Sequence, residues 1–328
     1  MSAPAIRILD SIDDDEIRRL KDRHEFFWLD LVSPTQEQLE HLGGLLGLHP
    51  LAVEDSVNLG QRPKLDVYGD TALLVLRAGV EVHPERENKH PLAEVHCHLS
   101  GDFIITVHGK RFQDLQHVKT LLASSNVPKS ERYYVYKILD VIIDSYFPIL
   151  ADLDEEISAL EDAIVAGAGR AELDATFRLK RLLMKLRRAV VPMRDVFGRE
   201  IEVIADLAGL EPDSHDYFRD IYDHLIRITD ELDSYHEMVS GCTDLYLSTV
   251  ANRQGETSKQ LAIIASIFLP LTFLTGFFGM NFGWLVSRVL VGPWSFIGLG
   301  LGTMALSAGL MWLWFRRRGW TGSDAGAA

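Results

Sequence analysis

Asn281 closes a charge-free apolar segment within the octet Gly276-Phe277-Phe278-Gly279-Met280-Asn281-Phe282-Gly283, whose glycines leave backbone carbonyls bare. An amide side chain and uncovered carbonyls are neutral oxygen donors. At the mouth of a membrane helix they suit the handling of an ion. A second set of donors, Glu94, His96 and His98, alternates along one predicted strand face, flanked by His90 and His108. An H-x-H pair ligates zinc when a third ligand approaches. Zinc sensing is the sharper expectation for these residues. The plainer one is surface histidines, because no second ligand pair stands close by.

The elements that must position Asn281 are membrane spans. From Leu261 to Phe315 the only charged residue is Arg288, which with Gly292-Pro293 divides the stretch into two apolar runs. Each reaches the roughly 20 residues that cross a bilayer. The expected spans are residues 258–281 and 294–315, joined by an external loop at 282–293. Lys259 stands at the start of the first span, before its uncharged run, and Arg316, Arg317 and Arg318 follow the second, opening a basic tail at 316–328. The positive-inside bias puts both termini in the cytoplasm. The N-terminus runs into Asp13-Asp14-Asp15-Glu16 without an apolar leader, so the large domain is expected to stay cytosolic beneath a bacterial inner or plasma membrane.

Residues 1–127 read as an α/β domain, with strand-like enrichment over Phe26–Val32, Leu65–Val82 and Leu92–His108. Ser33-Pro34-Thr35 followed by Glu37 signals a helix start, and that helix should run to the breaks at Gly43-Gly44 and Gly47. Residues 128–212 predict a helical hairpin. One helix runs from Tyr133 to about Ala166 with Pro148 inside, and the other from about Ala171 to Leu207 with Pro192 inside. The first is acidic and the second basic, so complementary charge supports an antiparallel pair. From Asp213 to Leu269 no proline interrupts the pattern. One helix of about 57 residues, about 85 Å long, could therefore carry a cytosolic stalk (213–257) into the first span. Gly241 and Gly255 inside it each cost roughly 1 kcal/mol relative to alanine.

The chain has 328 residues, a formal charge of -14 and two cysteines, Cys97 and Cys242. The acidity argues against nucleic acid as a partner and draws cations to the surface. Two cysteines make no disulfide framework. The sequence has no P-loop, nucleophile elbow or H-E-x-x-H pattern, so an enzyme is not expected. Ser258, Ala265, Thr272 and Gly279 recur every seven residues, with Gly276 beside them. Periodicity alone leaves this stripe open between close helix packing and the lining of a pore; Asn281 at its end favours the pore. Two spans per chain enclose little, so a pore requires a symmetric ring of copies. A membrane-anchored coiled-coil scaffold is the rival from another class, but an anchor has no need of Asn281 or the stripe.

These residues resemble the CorA-type divalent metal ion transporters, whose signature matches Gly279-Met280-Asn281. The similarity extends through Tyr217–His224, Asp244–Ser248 and Phe268–Phe273. It also takes in Val53-Glu54-Asp55 and Gln61-Arg62-Pro63-Lys64. The resemblance implies a funnel-shaped homopentamer in the bilayer: a cytosolic α/β domain, a helical hairpin, a stalk entering the membrane as pore helix, and an outer second span. It implies a selectivity filter at Gly279, Met280 and Asn281, and a pore lined by Thr272, Leu269, Leu261, Ser258 and Asp244. It further implies regulatory metal sites between subunits, built from Asp220 with Glu54 and Asp55, acids that would otherwise read as belonging to a helix start. The implied cargo is Mg²⁺, taken up down the membrane potential, with Co²⁺ or Ni²⁺ as further cargo. A Zn²⁺ transporter of the same superfamily, coupled to protons, is the alternative. The chain departs from the family in carrying Gly255 where a pore asparagine is common, and in an acid-free loop, Phe282–Arg288, where many members have carboxylates.

Overall fold

The computed structural model describes residues 6–80, 92–109, 113–123, 130–205, 217–289 and 291–320. His90, the end of the hairpin after residue 205, the start of the stalk before Tyr217 and the tail after Trp320 lie outside them. The chain divides into two compact units, Met1–Thr243 and Asp244–Ala328.

The first unit is built on a six-stranded sheet. Its elements begin with β1 (Arg7–Leu9), α1 (Asp14–Asp22), β2 (Phe27–Val32), α2 (Gln36–Leu46) and α3 (Pro50–Val57). The strands β3 (Lys64–Tyr68), β4 (Thr71–Gly79), β5 (Leu92–Ser100) and β6 (Phe103–His108) follow. Strand order is β1-β2-β6-β5-β4-β3, parallel among β1, β2 and β6 and antiparallel from β6 to β3. The stretches 65–82 and 92–108 each contain a turn: Gly69, with φ of 65°, helps β3 fold back as β4, and Gly101-Asp102 separates β5 from β6. Phe27, Leu29 and Leu31 of β2 and Phe103, Ile105 and Val107 of β6 alternate onto one face. They pack there against Ile17 and Leu20 of α1, Leu39, Leu42 and Leu46 of α2, and Val53 of α3.

The Thr35 hydroxyl caps α2 by accepting from the Gln38 N–H, and the Gln38 side chain accepts from the Thr35 N–H. The reciprocal partner is thus Gln38, three residues on, not Glu37. The Gly43-Gly44 pair does not break this helix, which ends only at Gly47, where φ is 74°. Gly43 is required by packing, since a Cβ there would lie 2.8 Å from Val53 Cγ2.

The single helix expected across Pro148 is two. After α4 (Gln113–Leu122) come α5 (Glu131–Asp144) and α6 (Tyr146–Gly167), which part at Ser145. Pro148 then falls in the first turn of α6, where an amide hydrogen has no partner within the helix anyway. The next helix, α7 (Arg170–Ala205), passes through Pro192. Helices α6 and α7 pack together, and Arg178 reaches Glu156 at 3.2 Å. The basic face of α7 serves α8 (Tyr217–Phe278) as well, through Arg187 to Asp233 at 3.1 Å and Lys180 to the Thr243 hydroxyl at 2.9 Å.

At 62 residues, α8 outruns the expected helix by continuing through Pro270 to Phe278. The missing proline donor leaves one helical carbonyl unpaired, a loss that membrane helices tolerate. A π-helical turn at Leu285–Val289 occupies part of the expected loop. Beyond it, α9 (Pro293–Ser295), a π-helical stretch Phe296–Leu301 and α10 (Gly302–Arg317) make the second apolar helix. Both apolar helices are long enough to cross a membrane.

Candidate functional site

Helix α8 ends where the signature begins. Gly279 still donates its N–H to the Thr275 carbonyl at 2.9 Å, but Met280 and Asn281 are out of the helix, and all three are exposed. At 100° per residue, Asp244, Ser258, Leu261, Leu269 and Thr272 fall within roughly 100° of one face of this helix. All five are exposed. So is nearly everything around them: none of the most apolar window of α8 is buried within the chain. Exposure therefore does not distinguish a pore-facing side from a lipid-facing one.

Glu54 and Asp55 lie in the last turn of α3, whose first turn holds no acid, so they are not helix-start residues. Glu54 is exposed, whereas Asp55 is held by Lys64 at 2.7 Å, and Lys64 also reaches Asp66 at 2.6 Å. Asp220, in the first turn of α8, accepts a 2.8 Å hydrogen bond from the Tyr136 hydroxyl. Within one chain, Glu54, Asp55 and Asp220 are not among the described residues grouped closely enough to hold one ion.

A different trio is. Asp140 and Asp144, one turn apart on α5, meet His224 of α8, with a ligand atom of each within 4.8 Å of the others. His224 Nδ1 lies 2.8 Å from Asp144 Oδ1 and 3.6 Å from Asp140 Oδ1. All three atoms are buried, and none is aligned for a hydrogen bond. Burial and the neighbouring Asp140 push the Asp144 carboxyl above its ordinary range. Asp220 is the next acid along the same face, 3.9 Å from His224 Nε2. Two crowded carboxylates and an imidazole with unaligned lone pairs are a donor set that fits a divalent cation. The sequence carried the signal as i, i+4 pairs, Asp140 with Asp144 and Asp220 with His224.

Glu94, His96 and His98 share a strand face as expected, but they are buried, not on the surface. The Ser56 hydroxyl of α3 lies 3.2 Å from His96 Nδ1 and 2.9 Å from His98 Nε2, and His96 Nε2 lies 2.7 Å from Glu94. Glu94 also accepts from the Gly60 and Gln61 N–H groups and pairs with Arg77 at 3.0 Å. Burial drives His98 down to about 3, so it is neutral at physiological pH. The donors are thus spent on a chain of hydrogen bonds that ties α3 to β5. These three residues do not form a metal-sized group. His108 lies on the other face of the sheet, 2.8 Å from the buried Asp30.

Residues 23–317 match the model of the family described as CorA-like Mg2+ transporter protein. The chain belongs to that family. As a CorA-like protein it is a divalent-cation transporter. It is 29% identical over 325 residues to the cobalt/magnesium transport protein CorA of Thermotoga maritima, covering 97% of this chain and 90% of that one. It is 25% identical over 297 residues to the zinc transport protein ZntB of Yersinia pseudotuberculosis, covering 89% of this chain and 87% of that one. The solved CorA magnesium transporter of Methanocaldococcus jannaschii superposes with a TM-score of 0.74 at 22% identity, covering 89% of this chain and 90% of that one. The CorA fold therefore accounts for the sheet, the long helix and the two apolar helices together.

Proposed function

We propose that copies of this chain assemble as a homopentamer around the α8 helices and admit Mg²⁺ to the cytoplasm down the membrane potential, with Co²⁺ and Ni²⁺ as further cargo. The observation that carries this reading is the placement of Gly279, Met280 and Asn281. They are exposed at the end of a 62-residue α8, with Met280 and Asn281 beyond its last turn, and the span of that helix buries nothing within its own chain. A ring of Asn281 amides binds a hydrated cation through its water shell, which suits Mg²⁺ because it gives up water reluctantly. Below the filter, Thr272, Leu269, Leu261, Ser258 and Asp244 line the path, and the two leucines close it by dewetting. Each elementary charge moving inward gains roughly 2.3 kcal/mol per 100 mV, so uptake of a divalent ion needs no ATP. Arg288 and the acid-free loop mean that the entrance adds no carboxylate field of its own.

The cytosolic unit senses the ion. Asp220, together with Glu54 and Asp55 of a neighbouring copy, and the Asp140-Asp144-His224 trio, hold carboxylates that repel one another when no cation is bound. A bound divalent cation supplies the neutralising charge. Both termini are cytoplasmic. A second reading, Zn²⁺ transport with proton coupling, is favoured by one observation, the His224 imidazole within the acidic trio. Nitrogen donors suit Zn²⁺, Co²⁺ and Ni²⁺ better than Mg²⁺. Uptake of Mg²⁺, Co²⁺, Ni²⁺ and Zn²⁺ into liposomes, with and without a pH gradient, separates the two. Potential-driven Mg²⁺ uptake is expected, and uptake of zinc alone that requires the pH gradient would overturn it.

A further inference from the structure

Arg62, Arg77, Lys185 and Arg188 line a single cavity of about 490 Å³ in the first unit, although the chain as a whole carries a charge of -14. We infer that this cavity is a binding site for a polyphosphate anion, free or carried by a nucleoside.

The wall that bears Arg62 is pinned in place. Gly60 and Gln61 donate their N–H groups to Glu94 at 2.8 and 3.0 Å, and the Gln61 carbonyl accepts from Arg77 Nη2 at 2.8 Å. Gly60 takes φ of 117°, a conformation that disfavours any side chain. The turn before β3 is thereby fixed between β4 and β5, with Arg62 and Pro63 facing the cavity. The opposite wall is α7, where Lys185 and Arg188 stand one turn apart.

The charge count leaves an excess. Glu94, nearly buried, pairs with Arg77, whose side chain is 27% exposed. Lys185 has a partner of its own. Arg62 and Arg188 have no hydrogen-bond or ion-pair partner among the described residues. Two exposed guanidiniums are ordinarily no more than solvated charges. Here they converge with two further cations on one concave site of a size typical for small molecules. Guanidinium presents planar pairs of N–H groups that match phosphate oxygens. Cations spread over both walls favour an anion with several phosphates over one with a single charge. Pro63, Leu92 and Ala189 add apolar wall against which a base or sugar can lie.

The test uses the full chain in detergent, with EDTA present so that cation chelation plays no part. Calorimetric titration with tripolyphosphate, ATP and adenosine is compared across the unaltered chain, Arg62→Gln, Arg188→Gln and the double variant. Both residues are exposed, so thermal melts of the variants should match the parent. Tripolyphosphate and ATP are expected to bind and adenosine not to. Each single variant should weaken binding by about fivefold or more, and the double variant by at least about twentyfold, scaled to a charge-assisted contact per guanidinium. ATP binding more tightly than tripolyphosphate assigns the apolar wall to a nucleoside; equal affinity assigns recognition to the phosphates alone. Either supports the site. Failure of both anions to bind below millimolar concentration, or affinity unchanged in the double variant, would overturn it. Because no transport is measured, the outcome is independent of which ion the protein conducts.

Discussion

In the unit ending at Thr243, Phe27, Trp28, Leu29, Leu73, Leu74 and Tyr146 are withdrawn from water, and so are polar Asp30, His96 and Thr106. In the unit beginning at Asp244, Leu269, Phe273 and Trp294 expose 76, 70 and 82% of their surface. The first unit pairs Asp30, His96 and Thr106 within its own chain. Trp28 donates to Thr106, whose hydroxyl donates to Asp30, and Lys119 stands 2.5 Å from the other Asp30 oxygen. The second leaves its apolar side chains to be covered by lipid or by other copies. One sequence thus contains two solutions to burial: a core closed on itself, and a surface whose solvent is hydrocarbon.

The largest consequence is solubility. A chain ending at Thr243 should remain folded and monodisperse without detergent, whereas the full chain should precipitate when detergent is removed. Size-exclusion chromatography and circular dichroism read both, and a full chain that stays dispersed in plain buffer would erase the contrast. Next in size is the Asp30 network. Asp30→Ala removes the buried carboxylate that Thr106, His108 and Lys119 share and should cost about 3 kcal/mol in denaturant unfolding of the unit ending at Thr243. A loss below about 1 kcal/mol would mean that the network is not a fixed part of the core.

The same residue sets a pH dependence. Burial alone would raise the Asp30 carboxyl, but His108, Lys119 and Thr106 bring it down to about 2, against an ordinary 3.8. A lowered value in the folded state means that its contribution is complete above about pH 4 and is lost as pH falls towards 2. The loss should amount to roughly 2 kcal/mol. Asp30→Asn should flatten the stability profile in that window, and an unchanged slope would assign acid sensitivity to other carboxylates. Smaller again is Ser56→Ala, expected to cost about 1–2 kcal/mol by removing the hydroxyl between His96 and His98. The smallest stability effect belongs to Asp144→Asn, which relieves its like-charge crowding with Asp140. It should leave the metal-free melt nearly unchanged while weakening protection of the cytosolic unit from protease by Mg²⁺, as should Asp220→Ala. Full protection in both variants would remove these residues from ion sensing.

The spans, the long helix and the α/β domain were legible because composition and periodicity report them directly. Arg288 as the only charge between Leu261 and Phe315 leaves little else for that stretch to be. Element boundaries were harder. Pro148 reads the same inside one helix as in the first turn of a second, and only packing at Ser145 decides. The histidines show a different limit: alternation placed Glu94, His96 and His98 on one face, but whether that face meets water depends on α3 arriving over it with Ser56. Likewise Asp140, Asp144 and His224 stand more than seventy residues apart at their widest. Their chemistry exists only once α5 and α8 are side by side.

If Asn281 forms the filter of a divalent-cation pore, Mg²⁺ uptake by reconstituted liposomes under an inside-negative potential must depend on its amide. The unaltered chain and Asn281→Ala are compared after confirming that both insert and assemble to the same size. Potential-driven uptake is expected from the first and a loss of at least about tenfold in the second. Equal uptake by both, with assembly intact, would contradict it.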